Sequence, residues 1–165
     1  MVYLPIELLT EVARRVGHNG FRGLAGFISG GTNGRDAAFD NKVLMEVDLD
    51  EFIFVSSLAN EGSLYRPFFM KCFTAGNMTA KYVEGLRLLV KFGPSNDRLR
   101  LVIEAEPLVY ALFALSIFSI CSGSYESGMG AMIMLSMRVG WLDELVEIGE
   151  TVMSQIADIE PPSDE

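Results

Sequence analysis

Apolar residues recur at three- and four-residue steps along nearly the whole chain, the spacing that gathers side chains on one face of an α-helix. The first such run is Leu4-Pro5-Ile6-Glu7-Leu8-Leu9, continued through Val12 to Val16. Pro5 suits a first helical position, where its missing donor would be unpaired anyway, and Glu7 sets negative charge against the positive end of the helix dipole. Leu8, Leu9, Val12 and Val16 form one face, while Glu7, Glu11, Arg14 and Arg15 stay wet and Gly17 supplies the stop. On periodicity alone this is an amphipathic helix covering its own core.

His18-Asn19-Gly20 reads as a turn, and Phe21 to Ile28 as a brief helix. Ser29-Gly30-Gly31-Thr32-Asn33-Gly34 reads as a flexible loop, since three glycines and an asparagine disfavour a helix. A short helical piece is expected around Asp36 to Leu44, followed by an extended segment from Glu46 to Phe52. From Leu58 the pattern is one of successive antiparallel helices with Gly, Pro and Asn between them. Ser63 caps a helix with Pro67 in its first turn, ending at Gly76-Asn77, and the next runs from Met78 to Val90. Asp97 caps a third that reaches Glu106. A fourth, Pro107 to Cys121, is apolar nearly all round and is expected at the centre of the bundle. Gly128 to Val139 is rich in methionine and Trp141 to Ile156 is amphipathic. The methionines at 129, 132, 134 and 137 read first as core gap-fillers and second as an adaptable binding groove. The predicted fold is therefore all-α, with residues 1–52 as an N-terminal helical module, 58–157 as a helical-repeat unit and 158–165 as a disordered acidic tail. Ala80-Lys81-Tyr82 and Ala111-Leu112-Phe113 repeat a small–spacer–aromatic pattern 31 residues apart, near the period of about 34 of tetratricopeptide arrays.

Composition narrows the function. Half of the 165 residues are hydrophobic, enough for a sizeable core. With 22 acidic against 13 basic residues the net charge is -9, a field that repels phosphate backbones and anionic lipid heads, so no nucleic-acid or membrane partner is expected. The longest apolar run, Leu108 to Cys121, is shorter than the roughly 20 residues a membrane span needs. Charges and Pro5 interrupt any signal-peptide pattern, which points to the cytoplasm or nucleus. Cys72 and Cys121 lack metal-ligand spacing and read as reduced thiols in preference to a disulfide. The single histidine, His18, has no serine in a matching motif, the glycines at 26–34 lack a phosphate-loop lysine, and the acidic run 46–51 lacks the offsets of a calcium loop. No enzyme activity, catalytic residue, cofactor or metal is expected.

The opening Leu4-Pro5-x-Glu7-Leu8-Leu9-x-x-Val12 resembles that of an F-box, the helical module that joins a substrate receptor to the Skp-type adaptor of a cullin ubiquitin ligase. Val16-Gly17, Phe21-x-x-Leu24, Phe39-Asp40, Val43-Leu44 and Val47-x-Leu49 follow in the order of one group of plant F-box proteins. Tyr65-Arg66-Pro67-Phe68-Phe69, Cys72, Gly76-Asn77, Ala80-x-Tyr82-x-Glu84-Gly85 and Gly140-Trp141 also look like that group, whose C-terminal domain is built of tetratricopeptide or Sel-like repeats. The resemblance implies a non-catalytic substrate receptor that grips the adaptor through Leu4, Pro5, Leu8, Leu9, Val12, Val16 and Leu24 and presents a target protein to the ligase. It departs at Gly30 to Gly34, where such F-boxes carry a cysteine, a lysine and a bulky aromatic. The alternative implied is a helical-repeat interaction module whose F-box has decayed. On that alternative, lysine at Thr32 and an aromatic at Gly34 would restore adaptor binding.

Overall fold

A computed structural model describes residues 4–159, and among them the chain forms eleven α-helices and no strand. The short N-terminal helices are α1 (Ile6–Gly17), α2 (Ala25–Ser29), α3 (Thr32–Ala38), α4 (Asn41–Glu46) and α5 (Asp50–Phe54), with single 3-10 turns at Phe21–Leu24 and Ser56–Ala59. An antiparallel, helical-repeat-like bundle follows: α6 (Arg66–Ala75), α7 (Met78–Phe92), α8 (Asn96–Glu104), α9 (Val109–Cys121), α10 (Tyr125–Arg138) and α11 (Leu142–Asp158). The connections within it are two to four residues long, which sets neighbouring helices in opposite directions; α6 to α10 each pack on the next, whereas α11 packs on α9 rather than on α10. No described helix is long and apolar enough to cross a membrane. The acidic tail beyond Ile159 lies outside the described residues.

Capping sets several boundaries differently from the expectation. Pro5 is the N-cap residue of α1 and not its first helical residue. The segment 36–44 is two helices, because Asp40 accepts a hydrogen bond from the Lys42 amide and starts α4 afresh. Only Val47 to Leu49 separates α4 from α5, so the extended reading of 46–52 fails at Asp50. Ser95, not Asp97, caps α8, and that helix ends at Glu104. Ser63 accepts from the Tyr65 amide in the turn before α6.

The largest difference lies at the glycines. Gly31, at φ 105°, turns the chain between α2 and α3, and α3 then runs through Thr32, Asn33 and Gly34. The helix-breaking cost of Gly34 is offset by what its missing side chain permits. A Cβ there would stand 2.5 Å from the Phe27 carbonyl oxygen and 3.3 Å from its carbon, so α2 and α3 meet backbone to backbone. Gly34→Ala, which in an open helix gains about 1 kcal/mol, is expected here to destabilise by about 1–3 kcal/mol, measured by urea unfolding; a stabilised variant would contradict the packing. An aromatic at Gly34 has no room.

The core is continuous across the expected module boundary. Ala13, Leu24, Val43, Phe52, Phe69, Tyr82, Val102 and Val152 belong to one buried cluster, and a second, smaller cluster joins Leu112, Ala131, Leu135 and Ile148 of α9–α11. Two buried amides tie distant segments together. Asn77, 3% exposed, caps α7 through the Ala80 amide while its Nδ2 donates to the carbonyls of Leu44, Met45 and Val47 at the end of α4. Gln155 of α11 accepts from the Tyr82 hydroxyl at 2.5 Å and donates to the Ile53 carbonyl at 2.6 Å. The repeated Ala80 and Ala111 are both buried in the main core, with Tyr82 buried and Phe113 packed against the same cluster.

Beneath α6 and α7 lies a charged knot. Arg66 donates to both carboxylate oxygens of Glu84 at 2.6 and 2.9 Å, and Arg87 does the same at 3.0 and 3.1 Å. Glu84 and Arg87 are 4% and 6% exposed. Burial pushes the Glu84 carboxyl up, but the two guanidinium pairs outweigh it and hold it below the usual carboxylate range. Glu11, Glu46, Glu51 and Glu104 are held down by basic partners at the surface. A depressed folded value stabilises above the unfolded value and is lost as pH falls through the folded one. Melting temperature is therefore expected to hold steady down to about pH 5 and to fall between about pH 4.5 and 2, with Glu84 contributing most because the exposed pairs are screened by water. A melting temperature that rises on acidification over this range would contradict it.

Candidate docking face

Helix α1 carries more apolar surface than the core can cover. Successive i, i+4 positions advance by only about 40° around a helix, so Leu8 and Val12 form one stripe and Leu9, Ala13, Val16 and Gly17 a neighbouring one, while Leu4 lies in the extended chain just ahead of the helix. The second stripe faces inward. Ala13 and Gly17 are buried, and Leu9 and Val16 are half-buried against the core. The first faces water, with Leu8 and Val12 at 53% and 46% exposure, and Leu4 at 51% and Ile6 are exposed as well. Pro5 stands exposed at the head of the helix with φ -53° and ψ 144°, holding the entering chain extended.

Of the residues expected to grip a partner, Leu4, Pro5, Leu8 and Val12 are thus open to one. Leu9 and Val16 divide their surface between core and solvent. Leu24 is fully buried, because the 3-10 turn at Phe21–Leu24 points it beneath α1; it holds the face up and is corrected from a contact residue to a core residue.

The rest of the fold positions this face. Val47 and Leu24 pack against α1 at Gly17, where a Cβ would make ordinary contacts of 3.4–3.7 Å with them. The Asp48 amide donates to the Gly17 carbonyl at 2.9 Å and the Phe21 amide to the Asp48 carbonyl at 3.1 Å, so the 47–49 link clamps the end of α1. On the polar side, Glu11 accepts from Arg14 and Arg15 at 2.9–3.0 Å, and Arg14 bridges to Glu46 of α4 at 2.7 Å. These hydrogen bonds hold the Glu11 carboxyl down at about 2. His18 Nε2 stands 3.0 Å from the same Glu46, so the lone histidine belongs to a surface ion cluster.

Among the described residues no group of three or more His, Cys, Asp or Glu could hold a metal ion. Cys72 is buried, its thiol pushed up to about 12 by loss of water, and Cys121 is exposed and unbridged. Such a thiol carries almost no thiolate at neutral pH and is a poor nucleophile.

A second apolar region was misjudged from sequence. Met129, Met134 and Met137 are exposed, and only Met132 leans on the small cluster, so these methionines do not chiefly fill gaps. Tyr125, Met129, Ile133 and Met137 make an i, i+4 stripe on the outer side of α10, with Trp141 and Leu142 exposed beyond it. No family model, curated protein or solved structure matches the chain.

Proposed function

We propose that this chain is a non-catalytic interaction module, an F-box-like substrate receptor whose helix α1 docks on a Skp-type adaptor and through it a cullin ubiquitin ligase. The observation that carries the reading is the outward apolar surface of Leu8 and Val12 on α1 with Leu4 exposed just ahead of it. Exposed apolar side chains gathered on one side of a helix mark a surface that a partner covers, and Pro5 stands at the start of this helix as in the F-box pattern that the sequence resembles. The orderly packing of α3 against α1 and α2 supports an intact module over a decayed one, since the glycines that suggested decay are the residues that let those helices close. A receptor of this kind makes and breaks no bond. It raises the local concentration of a target lysine near the conjugating enzyme, in the cytoplasm or nucleus. Co-elution of the full chain with a purified Skp-type adaptor tests the reading. Wild type is expected to co-elute and Leu8→Asp to elute alone; a wild type that never co-elutes would remove it.

A further inference from the structure

A second surface carries chemistry that the docking face does not use. Between the N-terminal helices and α6 lies a cavity of about 380 Å³, continuous through Phe39, Pro67 and Lys71 with a shallower one along α6. Its floor is a row of four rings. Tyr65 meets Phe21 edge-on at 5.5 Å, Phe21 stacks on Phe68 at 6.0 Å, and Phe68 lies 6.4 Å from Phe39. Leu64, at 93% exposure, and exposed Pro67 form the lip.

Two basic side chains lie over its rings. Arg22 lies 4.9 Å over Tyr65 and 5.2 Å over Phe21, while Lys71 lies 5.0 Å over Phe39. Arg22 shares its charge with Glu51, but Lys71 has no carboxylate partner among the described residues. No carboxylate lines either cavity, in a chain where acids outnumber bases 22 to 13. The positive rim therefore departs from the protein's own charge and complements an acidic ligand.

We propose that this groove binds an acidic peptide segment with proline or an aromatic residue at its centre. The half-buried rings of Tyr65, Phe68 and Phe39, backed by buried Phe21, offer aromatic surface to a proline-containing extended peptide, which is already stiff and loses little entropy on binding. Acidic flanks would pair with Lys71 and, by competition with Glu51, with Arg22. This deepens the receptor reading, on which it rests only for the fate of the bound peptide, by naming the class of target held.

The test uses the full chain and short labelled peptides sharing a Leu-Pro-Pro-Phe centre with glutamate, glutamine or lysine flanks, followed by fluorescence anisotropy. Glutamate flanks are expected to bind about fivefold or more tighter than glutamine, and lysine flanks weakest. Lys71→Glu should invert that order, and Leu64→Asp should weaken every peptide; both residues are exposed, so neither change threatens folding. Leu8→Asp should leave peptide binding unaltered, which separates this site from the adaptor face. No saturable binding, equal binding by all flanks, or indifference to Lys71→Glu would overturn the proposal. So would self-association abolished by Leu64→Asp, which would put a second copy of the chain in the groove.

Discussion

Glu84→Ala is expected to lower stability by about 3–5 kcal/mol, a large share of the roughly 5–15 kcal/mol that holds a domain folded. The carboxylate is 4% exposed and receives four hydrogen bonds from two guanidinium groups. Removing it leaves Arg87 almost buried beside Arg66, with Glu61 as the only other acid on Arg87 among the described residues and the Ala59 carbonyl on Arg66. Two like charges then face each other without their shared counter-ion. The knot is not stabilising in proportion, because three charges have already lost their water. Replacing all three residues together, Arg66→Met, Glu84→Leu and Arg87→Met, should therefore recover most of the loss. Urea unfolding of the single and triple variants measures both. A single variant within about 1 kcal/mol of wild type would contradict the burial argument.

Asn77→Asp is the second large effect, and it separates two roles of one side chain. Aspartate caps a helix as well as asparagine does, so capping of α7 alone predicts no loss. The amide nitrogen, however, faces three carbonyl oxygens at 2.9–3.2 Å in a buried position. A carboxylate there would set negative charge against three acceptors with little water, at a cost of about 3 kcal/mol or more. Asn77→Ala, which leaves the acceptors unpaired without adding charge, should cost about 2 kcal/mol. Equal stability of the aspartate variant and wild type would show that the α4 carbonyls are satisfied another way.

These two residues mark how far the sequence could be read. Helix α1, the stop at Gly76 and the order of α6 to α11 were legible because periodicity and capping are local signals, whereas Gly17 closes α1 from inside the helix, with His18 as its C-cap. Asn77 was legible only as punctuation, since its three carbonyl partners lie 30 to 33 residues upstream. Glu84 and its arginines sit at helical spacing that suits a wet face equally well, and only the position of α6 buries them. Gly34 misled for the same reason. Propensity assigns glycine to a loop, whereas its role comes from Phe27 on the neighbouring helix. In the candidate site, the apolar character of α1 was readable, but not which half of its arc the core would claim. That division moved Leu24 inward and left Leu4, Leu8 and Val12 outside. The aromatic groove was invisible because Phe21, Phe39 and Tyr65 come from separate elements.

The most direct measurement is a titration of the full chain with a Skp-type adaptor by isothermal calorimetry, for wild type and Leu8→Asp, with unfolding curves for each. Leu8 is half exposed and touches little of the core, so the substitution is expected to leave stability within about 0.5 kcal/mol of wild type. Loss of a central apolar anchor, replaced by a charge, should weaken adaptor binding by about 2–4 kcal/mol, or roughly 30- to 1,000-fold. Saturable binding by wild type that Leu8→Asp abolishes without unfolding is the predicted result. No binding by wild type, or equal affinity in both, would contradict the assignment of α1 as the docking helix.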